Sequence, residues 1–246
     1  MMKRLLLATL LLLPVMGQAA YPSGVSVLQK IDENMVSETR ITTARMVIHD
    51  RRDTRTVAFK SWSQGDQNAF TEYLSPPREQ GTKMLKLADR LWMYSPNTDR
   101  TIQISGHMLR QSVMGSDLSY EDMMENPRLT DLYDAEVTGI ETIDGRVCWL
   151  VHLTSRESDV AYQSRRLWVD QERYVPVREE LYAKSGKLLK RIDLKDFKQI
   201  DERWFPIRMR FKDILKAGAG TEFIIESIAF NVPVPEHLLS KAALRR

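Results

Sequence analysis

The stretch PIRMRFK, residues 206–212, decides the fold class, because its apolar and basic side chains alternate one by one. Successive side chains of a β-strand point to opposite faces, so Ile207, Met209 and Phe211 share one face of the predicted strand. The same period of two recurs in several pairs: Val57 and Phe59, Leu85 and Leu87, Leu91 and Met93, and Ile192 and Leu194. The pattern predicts an antiparallel sheet with one apolar and one solvated face.

Polar turn clusters separate such stretches along the chain and predict about eleven strands between residues 41 and 231. Apolar residues at helical spacing after Ser23 (Val27, Leu28, Ile31 and Met35) predict one helix before the first strand. The predicted fold is therefore mainly β with a few helices. It is a strongly curved antiparallel sheet forming an incomplete, half-closed β-barrel, covered by the N-terminal helix and a short helical lid.

The amino terminus, MMKRLLLATLLLLPVMGQAAYP, is typical of a secretory signal peptide: two basic residues, an apolar run and small residues follow one another. The apolar run, residues 5–13, is shorter than the roughly 20 residues that a membrane span needs. We predict cleavage after Ala19, with Ala20 as the alternative, and a single domain over residues 20–246. The junction carries no cysteine for a lipid anchor.

Charge and cysteine content narrow the function classes. The whole chain has 36 Lys and Arg against 33 Asp and Glu, and removal of residues 1–19 brings these counts almost level. This balance gives no support to nucleic-acid binding, which requires clustered basic residues. Cys148 is the single cysteine, in the apolar run RVCWLV (146–151), and is predicted to be a buried structural residue.

The segment SGHMLRQSVMGSDLSYEDMMENP, residues 105–127, carries four methionines in what otherwise resembles a loop. Exposed apolar surface costs roughly 25 cal/mol per Å², so these side chains must be covered by the protein's own core, a partner protein or an apolar cargo. Ser119 followed by Glu121 and Asp122 predicts a short helix, which Pro127 would end. We call residues 107–124 the lid, and predict that it moves over the apolar face. Methionine adapts to variable apolar shapes, although it is also common core filler.

Motifs for catalysis are missing from the sequence. Its four histidines lack metal-site spacing, the residues around Ser116 lack the glycines of a nucleophile elbow, and AGAG, residues 217–220, lacks the Lys-Ser/Thr of a phosphate-binding loop. The sequence therefore favours a binding protein without metal or cofactor over an enzyme, and a lipid hydrolase ranks last.

Three blocks of sequence resemble one known family. They are TEYLSPPREQGTKML (71–85) with LWMYSP (91–96), then WVD (168–170) with YVPV (174–177), and WFP (204–206). They resemble the outer-membrane lipoprotein-sorting proteins, the LolA-like superfamily, in a branch associated with lipid transporters of the RND type. The resemblance implies an incomplete β-barrel whose cavity carries an acyl chain across the periplasm, and Arg45, by its place in the first strand, as the counterpart of the family's cargo-contacting arginine.

Two functions remain open at this point. The first is a periplasmic carrier or chaperone that binds the acyl chain of a lipid or lipoprotein for transfer towards the outer membrane. The second is a non-catalytic adaptor or accessory subunit of an inner-membrane RND transporter, without lipid cargo. For the carrier, the predicted cavity and lid residues are Phe59, Leu85, Leu91, Met93, Met108, Leu109, Met114, Leu118, Met123, Met124, Met209 and Phe211, with Arg45 as the polar contact.

Overall fold

The computed structural model describes residues 21–51, 53–124, 128–158 and 160–245. The predicted signal peptide and Pro127 lie outside these residues. The helices are α1 (Gly24–Met35), α2 (Tyr120–Met124) and α3 (Leu129–Leu132), with short 3₁₀ turns at Gly106–Arg110, Val113–Gly115, Glu236–Leu238 and Lys241–Arg245. The strands are β1 (Thr39–His49), β2 (Thr54–Gln64), β3 (Asn68–Ser75), β4 (Lys83–Leu87), β5 (Arg90–Ser95), β6 (Arg100–Ile104), β7 (Tyr133–Ile143), β8 (Arg146–Ser155), β9 (Ser164–Asp170), β10 (Pro176–Tyr182), β11 (Leu188–Ile200), β12 (Arg203–Asp213) and β13 (Gly220–Phe230).

All thirteen strands form one antiparallel sheet in the order β6-β5-β4-β3-β2-β1-β13-β12-β11-β10-β9-β8-β7. Two meanders, β1 to β6 and β7 to β13, are joined by the pairing of β1 with β13. Within the described residues the edge strands β6 and β7 do not pair with each other, so the sheet is not closed into a barrel. The predicted fold class, an incomplete barrel with a few helices, is confirmed.

Apolar rows cross the strands on one face, which we call the inner face. Met209 on β12 lies opposite Leu194 on β11 and Phe223 on β13. The row continues through Met46 on β1 to Val57 on β2, because directly opposed residues of antiparallel strands share a face. The alternation of residues 206–212 thus places its apolar side chains where the sequence predicted.

Helix α1 covers one end of the inner face. Ser23 caps it, because the Ser23 hydroxyl accepts a hydrogen bond from the Ser26 amide at 3.1 Å. Val27, Leu28 and Ile31 are almost completely buried against strands β7 to β9. The contact is so close that a Cβ atom on Gly24 would lie 2.0 Å from the carbonyl oxygen of Ala135. The predicted N-terminal helix and its apolar face are confirmed.

The count of about eleven strands was too low. Strand β9 was not predicted as a strand, because SRRLWVD, residues 164–170, does not alternate and is buried on both faces over most of its length. Because both faces of this strand are buried, its apolar residues do not alternate with polar ones, and the period of two on which the prediction depended is absent.

The outer face is less polar than the alternation predicted. Leu85 is fully buried there with Phe70 and Trp92, beneath Ala243 and Leu244 of the C-terminal segment. The prediction that Leu85 and Leu87 share the face of Leu91 and Met93 was therefore wrong. Apolar residues of β4 and β5 lie on both faces of the sheet, because other parts of the chain cover each face there.

Candidate functional site

The inner face encloses an apolar cavity of about 280 Å³, the first cavity. Its wall contains a group of aromatic rings: Phe223 lies 5.3 Å from Phe59 and 6.4 Å from Phe211, measured between ring centroids. Further apolar side chains complete the wall; they are Met35, Leu118, Met123, Phe205, Met209, Ile225 and Ile228. Polar side chains line the rest of the wall: Thr42, Ser61, Ser63, Asn68 and Thr71, with the ionisable Arg40, Asp66, Lys86 and Asp122.

A second cavity, of about 240 Å³, adjoins the first. Five side chains line both cavities and form the boundary between them: Met35, Leu118, Asp122, Met209 and Phe211. The ionisable groups that line the second cavity are Asp32, Asp122, Arg165, Glu179 and Lys190.

Most of these charges are paired. Lys190 on β11 forms an ion pair with Asp122 on α2, and the Tyr162 hydroxyl donates to the same carboxylate at 2.5 Å. Asp32 accepts hydrogen bonds from the amides of Leu129 and Thr130 at 3.0 and 3.1 Å, and so ties α1 to α3. Burial raises the pKa of the Glu179 carboxyl, although nearby Arg165 acts in the opposite direction.

The middle of the lid is anchored to the sheet. Val113 and Ser116 are fully buried, and Asp117 accepts hydrogen bonds from the Thr221 hydroxyl at 2.9 Å and from the Asp213 amide at 3.0 Å. Lys216 donates to the Ser116 carbonyl. The anchored part, residues 113–118, therefore belongs to the core, and motion of the lid would have to come from the segments on either side.

The lid helix begins where the sequence predicted. The Ser119 hydroxyl accepts a hydrogen bond from the Asp122 amide at 3.2 Å, while the Asp122 carboxylate accepts one from the Ser119 amide at 2.6 Å. This reciprocal cap fixes the first turn of α2. It also aims Asp122 and Met123 towards the cavities, since both residues line the first one.

The predicted cargo-binding residues fall into three groups. The first lines the first cavity: Phe59, Leu118, Met123, Met209 and Phe211. The second packs in the same apolar cluster without lining either cavity: Leu91, Met93, Met108, Leu109 and Met114. The third group has two members: Leu85 lies on the outer face, outside the cluster, and the side chain of Met124 lies outside what the structure describes.

Arg45 cannot touch cargo in these cavities. It lies between Ala44 and Met46, which are both fully buried on the inner face, so its own side chain points to the outer face. There its guanidinium pairs with Glu226 at 3.2 Å. The position of Arg45 in the first strand was right, but alternation puts it on the wrong side of the sheet.

Several wall residues were not predicted. Phe223 and Ile225 stand two residues apart in a stretch predicted as a strand, so alternation gives a signal for them. Arg165, Glu179 and Lys190 carry no such signal. They meet only because β9, β10 and β11 pair in one register, in which Leu181 lies opposite both Arg165 and Lys190.

The described part of the chain contains no group of three or more His, Cys, Asp or Glu side chains placed to hold a metal ion. Among the helices within those residues, none has the length and apolarity required to cross a membrane.

Cys148 is fully buried, and burial, with a smaller contribution from Asp170, raises the pKa of its thiol to about 11. Because only the thiolate is alkylated rapidly, we expect almost no reaction with iodoacetamide at pH 8 in the folded protein and fast reaction in urea. Mass spectrometry of timed samples measures both rates. Equal rates in the two conditions would contradict the burial of this thiol.

Known proteins share this fold. The structure is similar to a domain described as an outer membrane lipoprotein-sorting protein from Vibrio parahaemolyticus, with a TM-score of 0.79 and 22% identity over 91% of this chain and 98% of the other. It is similar to a DUF1329 family protein from Desulfovibrio piger, with a TM-score of 0.82 and 25% identity over 90% and 97%. A LolA superfamily protein from Nitrosomonas europaea gives a TM-score of 0.74 and 24% identity over 91% and 100%.

A comparison of the sequence with family models identifies one family. No curated protein matches the chain. A family model described as "Uncharacterized protein" matches residues 65–246, which is most of the chain. The chain therefore belongs to that family, and its open thirteen-stranded sheet has the LolA-like fold.

Proposed function

We propose that this protein is a periplasmic carrier that shields an acyl chain in the first cavity during transfer towards the outer membrane. The observation that carries the proposal is an unfilled apolar cavity, walled by Phe59, Phe223 and Met209, on the inner face of the sheet. The likeness to a domain described as lipoprotein-sorting and to a LolA superfamily protein supports the same role. The predicted signal peptide would direct the chain to the periplasm.

The mechanism is burial, without bond-making. Each methylene moved from water into the cavity contributes about 0.8 kcal/mol, so about ten methylenes contribute roughly 8 kcal/mol before the cost of ordering the chain. A net binding free energy of about 8 kcal/mol would correspond to a dissociation constant near the micromolar range, so after the ordering cost a chain of about ten methylenes binds more weakly than that. A carrier of this kind needs no catalytic residue and no cofactor.

The cavity must widen to hold a long chain. At about 280 Å³ it lies just below the range of roughly 300–1,000 Å³ for ligand pockets. Three methionines, Met35, Met123 and Met209, line it, and unbranched thioether side chains adopt new rotamers at low cost. Methionine at these three places, one of them in the lid, would let the wall fit chains of different shape.

Movement of α2 would widen the cavity further. The anchored residues 113–118 hold the middle of the lid in place. Helix α2 is held by the ion pair of Asp122 with Lys190 and by Tyr120, which is buried in the apolar cluster and donates to the Met93 sulfur at 3.5 Å. Release of cargo would follow when a receiving partner displaces α2. An RND-type transporter is the partner that the family resemblance suggests.

Native mass spectrometry of protein purified from the periplasm tests the proposal. We expect part of the protein to be heavier than the mature polypeptide by the mass of one lipid, and delipidated protein to take up a fluorescent fatty acid with a 1:1 stoichiometry. Protein that is always recovered empty, and that takes up no fatty acid while folded, would refute the carrier function.

A further inference from the structure

Strand β7 ends the sheet, and within the described residues no strand pairs with its outer edge. Residues 138–142 form an open stretch of this edge. Ile140, Glu141 and Thr142 are exposed, and a Cβ atom on Gly139 would meet no other atom within 4 Å. An exposed edge presents a row of backbone N–H and C=O groups with which a further strand can pair. The open stretch is therefore a place where an extended segment can add to the sheet.

An exposed apolar patch lies on the inner-face side of this edge, beside Trp149 of β8. Ile140 lies directly opposite Trp149 in the sheet, and Val147 stands two residues from Trp149 on the same face. The Tyr21 ring lies 6.3 Å from the Trp149 ring, measured between centroids. Tyr21, Ile140 and Val147 are 48%, 49% and 50% exposed, although apolar surface in water is unfavourable. An apolar side chain on an added strand would cover this patch.

The outer-face side of the same edge is acidic. Glu136 and Glu141 are both exposed there, and neither forms an ion pair within the described residues. Glu141 accepts a hydrogen bond from the Trp168 indole at 2.7 Å. Glu136 lies opposite His152 on β8, without a hydrogen bond between their side chains.

The arginines at the two ends of β8 do not neutralise these carboxylates, because each has a partner of its own. Arg146 pairs with Asp170 at 2.8 Å, and Arg156 pairs with Asp134, the third carboxylate of β7, at 2.8 Å. Two exposed negative charges therefore remain along the edge.

These charges decide between two kinds of added strand. A second copy of β7, paired antiparallel about the middle of the open stretch, would place Glu136 of one copy opposite Glu141 of the other, and like charges directly opposite each other are destabilising. A strand in which apolar and basic residues alternate would match both sides of the edge. Its apolar row would lie beside Ile140 and its basic row beside the two carboxylates.

We propose that the edge of β7 is a docking site for an extended segment of another protein, in which apolar and basic residues alternate, and that this segment adds to the sheet as a further strand. Backbone hydrogen bonds would supply the affinity, and the side chains on the two faces would supply the specificity. The inference does not depend on the carrier function, because no residue of β7 lines either cavity.

The test uses protein purified from the periplasm and two fluorescently labelled peptides, RVKVTVRV and its acidic counterpart EVDVTVEV, with fluorescence anisotropy as the measurement. We expect the basic peptide to bind saturably with a 1:1 stoichiometry, and the acidic peptide to bind about tenfold more weakly. Glu136→Lys should weaken binding of the basic peptide about fivefold and strengthen binding of the acidic peptide by a similar factor. A folding defect cannot imitate this reversal. The matched control is Glu202→Lys, at an exposed position in the turn between β11 and β12, which should leave both affinities unchanged.

Two further changes test the apolar patch and the backbone pairing. Ile140→Ser should weaken binding of the basic peptide roughly tenfold, because it removes apolar surface that the peptide would cover. Ile214→Ser, at a side chain of similar exposure after β12, should not weaken it. N-methylation of alternate peptide amides should abolish binding for one of the two sets and be tolerated for the other, since only alternate amides of a strand point towards its neighbour.

Failure of the folded protein to bind either peptide would refute the docking site. Equal affinity for the two peptides, an unchanged preference in Glu136→Lys, or equal effects of the two N-methylated sets would refute it as well. A dimer in sedimentation equilibrium that is lost in Ile140→Ser would assign the edge to a second copy of this chain and overturn the proposal.

Discussion

Met123→Asp is expected to weaken acyl-chain binding by about 100-fold or more. Met123 lines the first cavity from the lid helix, so the substitution places a carboxylate where the chain would lie. Enclosing that charge beside an acyl chain costs several kcal/mol, and about 3 kcal/mol already corresponds to roughly 100-fold in affinity. Titration of the delipidated variant with a fluorescent fatty acid measures the loss.

Met108→Asp is the matched control, since Met108 belongs to the same lid and packs on the same cluster but lines neither cavity. We expect it to reduce affinity much less. Arg45→Ala, on the outer face, should leave affinity unchanged. If Met108→Asp and Met123→Asp weakened binding equally while both proteins remained folded, the cavity would not be the binding site.

Gly24→Ala is expected to destabilise the protein by about 3 kcal/mol. The added methyl group would lie 2.0 Å from the Ala135 carbonyl oxygen and 2.8 Å from the Glu136 amide nitrogen, and both are backbone atoms that cannot turn aside. Overpacking of this kind typically costs about 1–3 kcal/mol, which exceeds the gain of about 1 kcal/mol that alanine offers over glycine within a helix. Urea denaturation followed by circular dichroism measures the change, and the melting temperature should fall by roughly 6–12 °C.

Gly139→Ala provides the comparison on the strand that α1 covers. Gly139 lies on β7, and a Cβ atom there would meet no other atom within 4 Å. We expect a change within about 0.5 kcal/mol, or slight stabilisation through the lower entropy of the unfolded chain. A Gly24→Ala protein as stable as the wild type would show that α1 does not pack on β7 as closely as described.

The fold was predictable where local chemistry and tertiary structure agree. Residues 206–212 alternate because one face meets the cavity and the other meets water, and Ser23 precedes α1 because its hydroxyl caps the helix. Alternation failed for Leu85 because the C-terminal segment, more than 150 residues away, covers the outer face there. A local pattern cannot show which faces a distant segment will bury.

The apolar residues of the candidate site could be predicted from the sequence. Phe59, Met209 and Phe211 follow from alternation, and Met123 from the helix start at Ser119. The ionisable groups of the second cavity could not be predicted from alternation. Asp122 and Lys190 lie 68 residues apart, and they meet only because of the register of β11 with its neighbours and the placement of α2. For Arg45 the strand was predicted correctly but the face was wrong. The prediction followed the family resemblance, whereas alternation with the buried Ala44 and Met46 puts the Arg45 side chain on the outer face.

The pairing of β1 with β13 has a consequence for how the chain acquires its structure. Arg45 and Glu226 face each other across that junction although 181 residues separate them. Contacts of such long range form slowly, since a long loop must close before they contribute. Until β13 has been synthesised, one edge of β1 is unpaired and no strand pairing joins the two meanders. We therefore expect the sheet to remain incomplete until β13 has been synthesised.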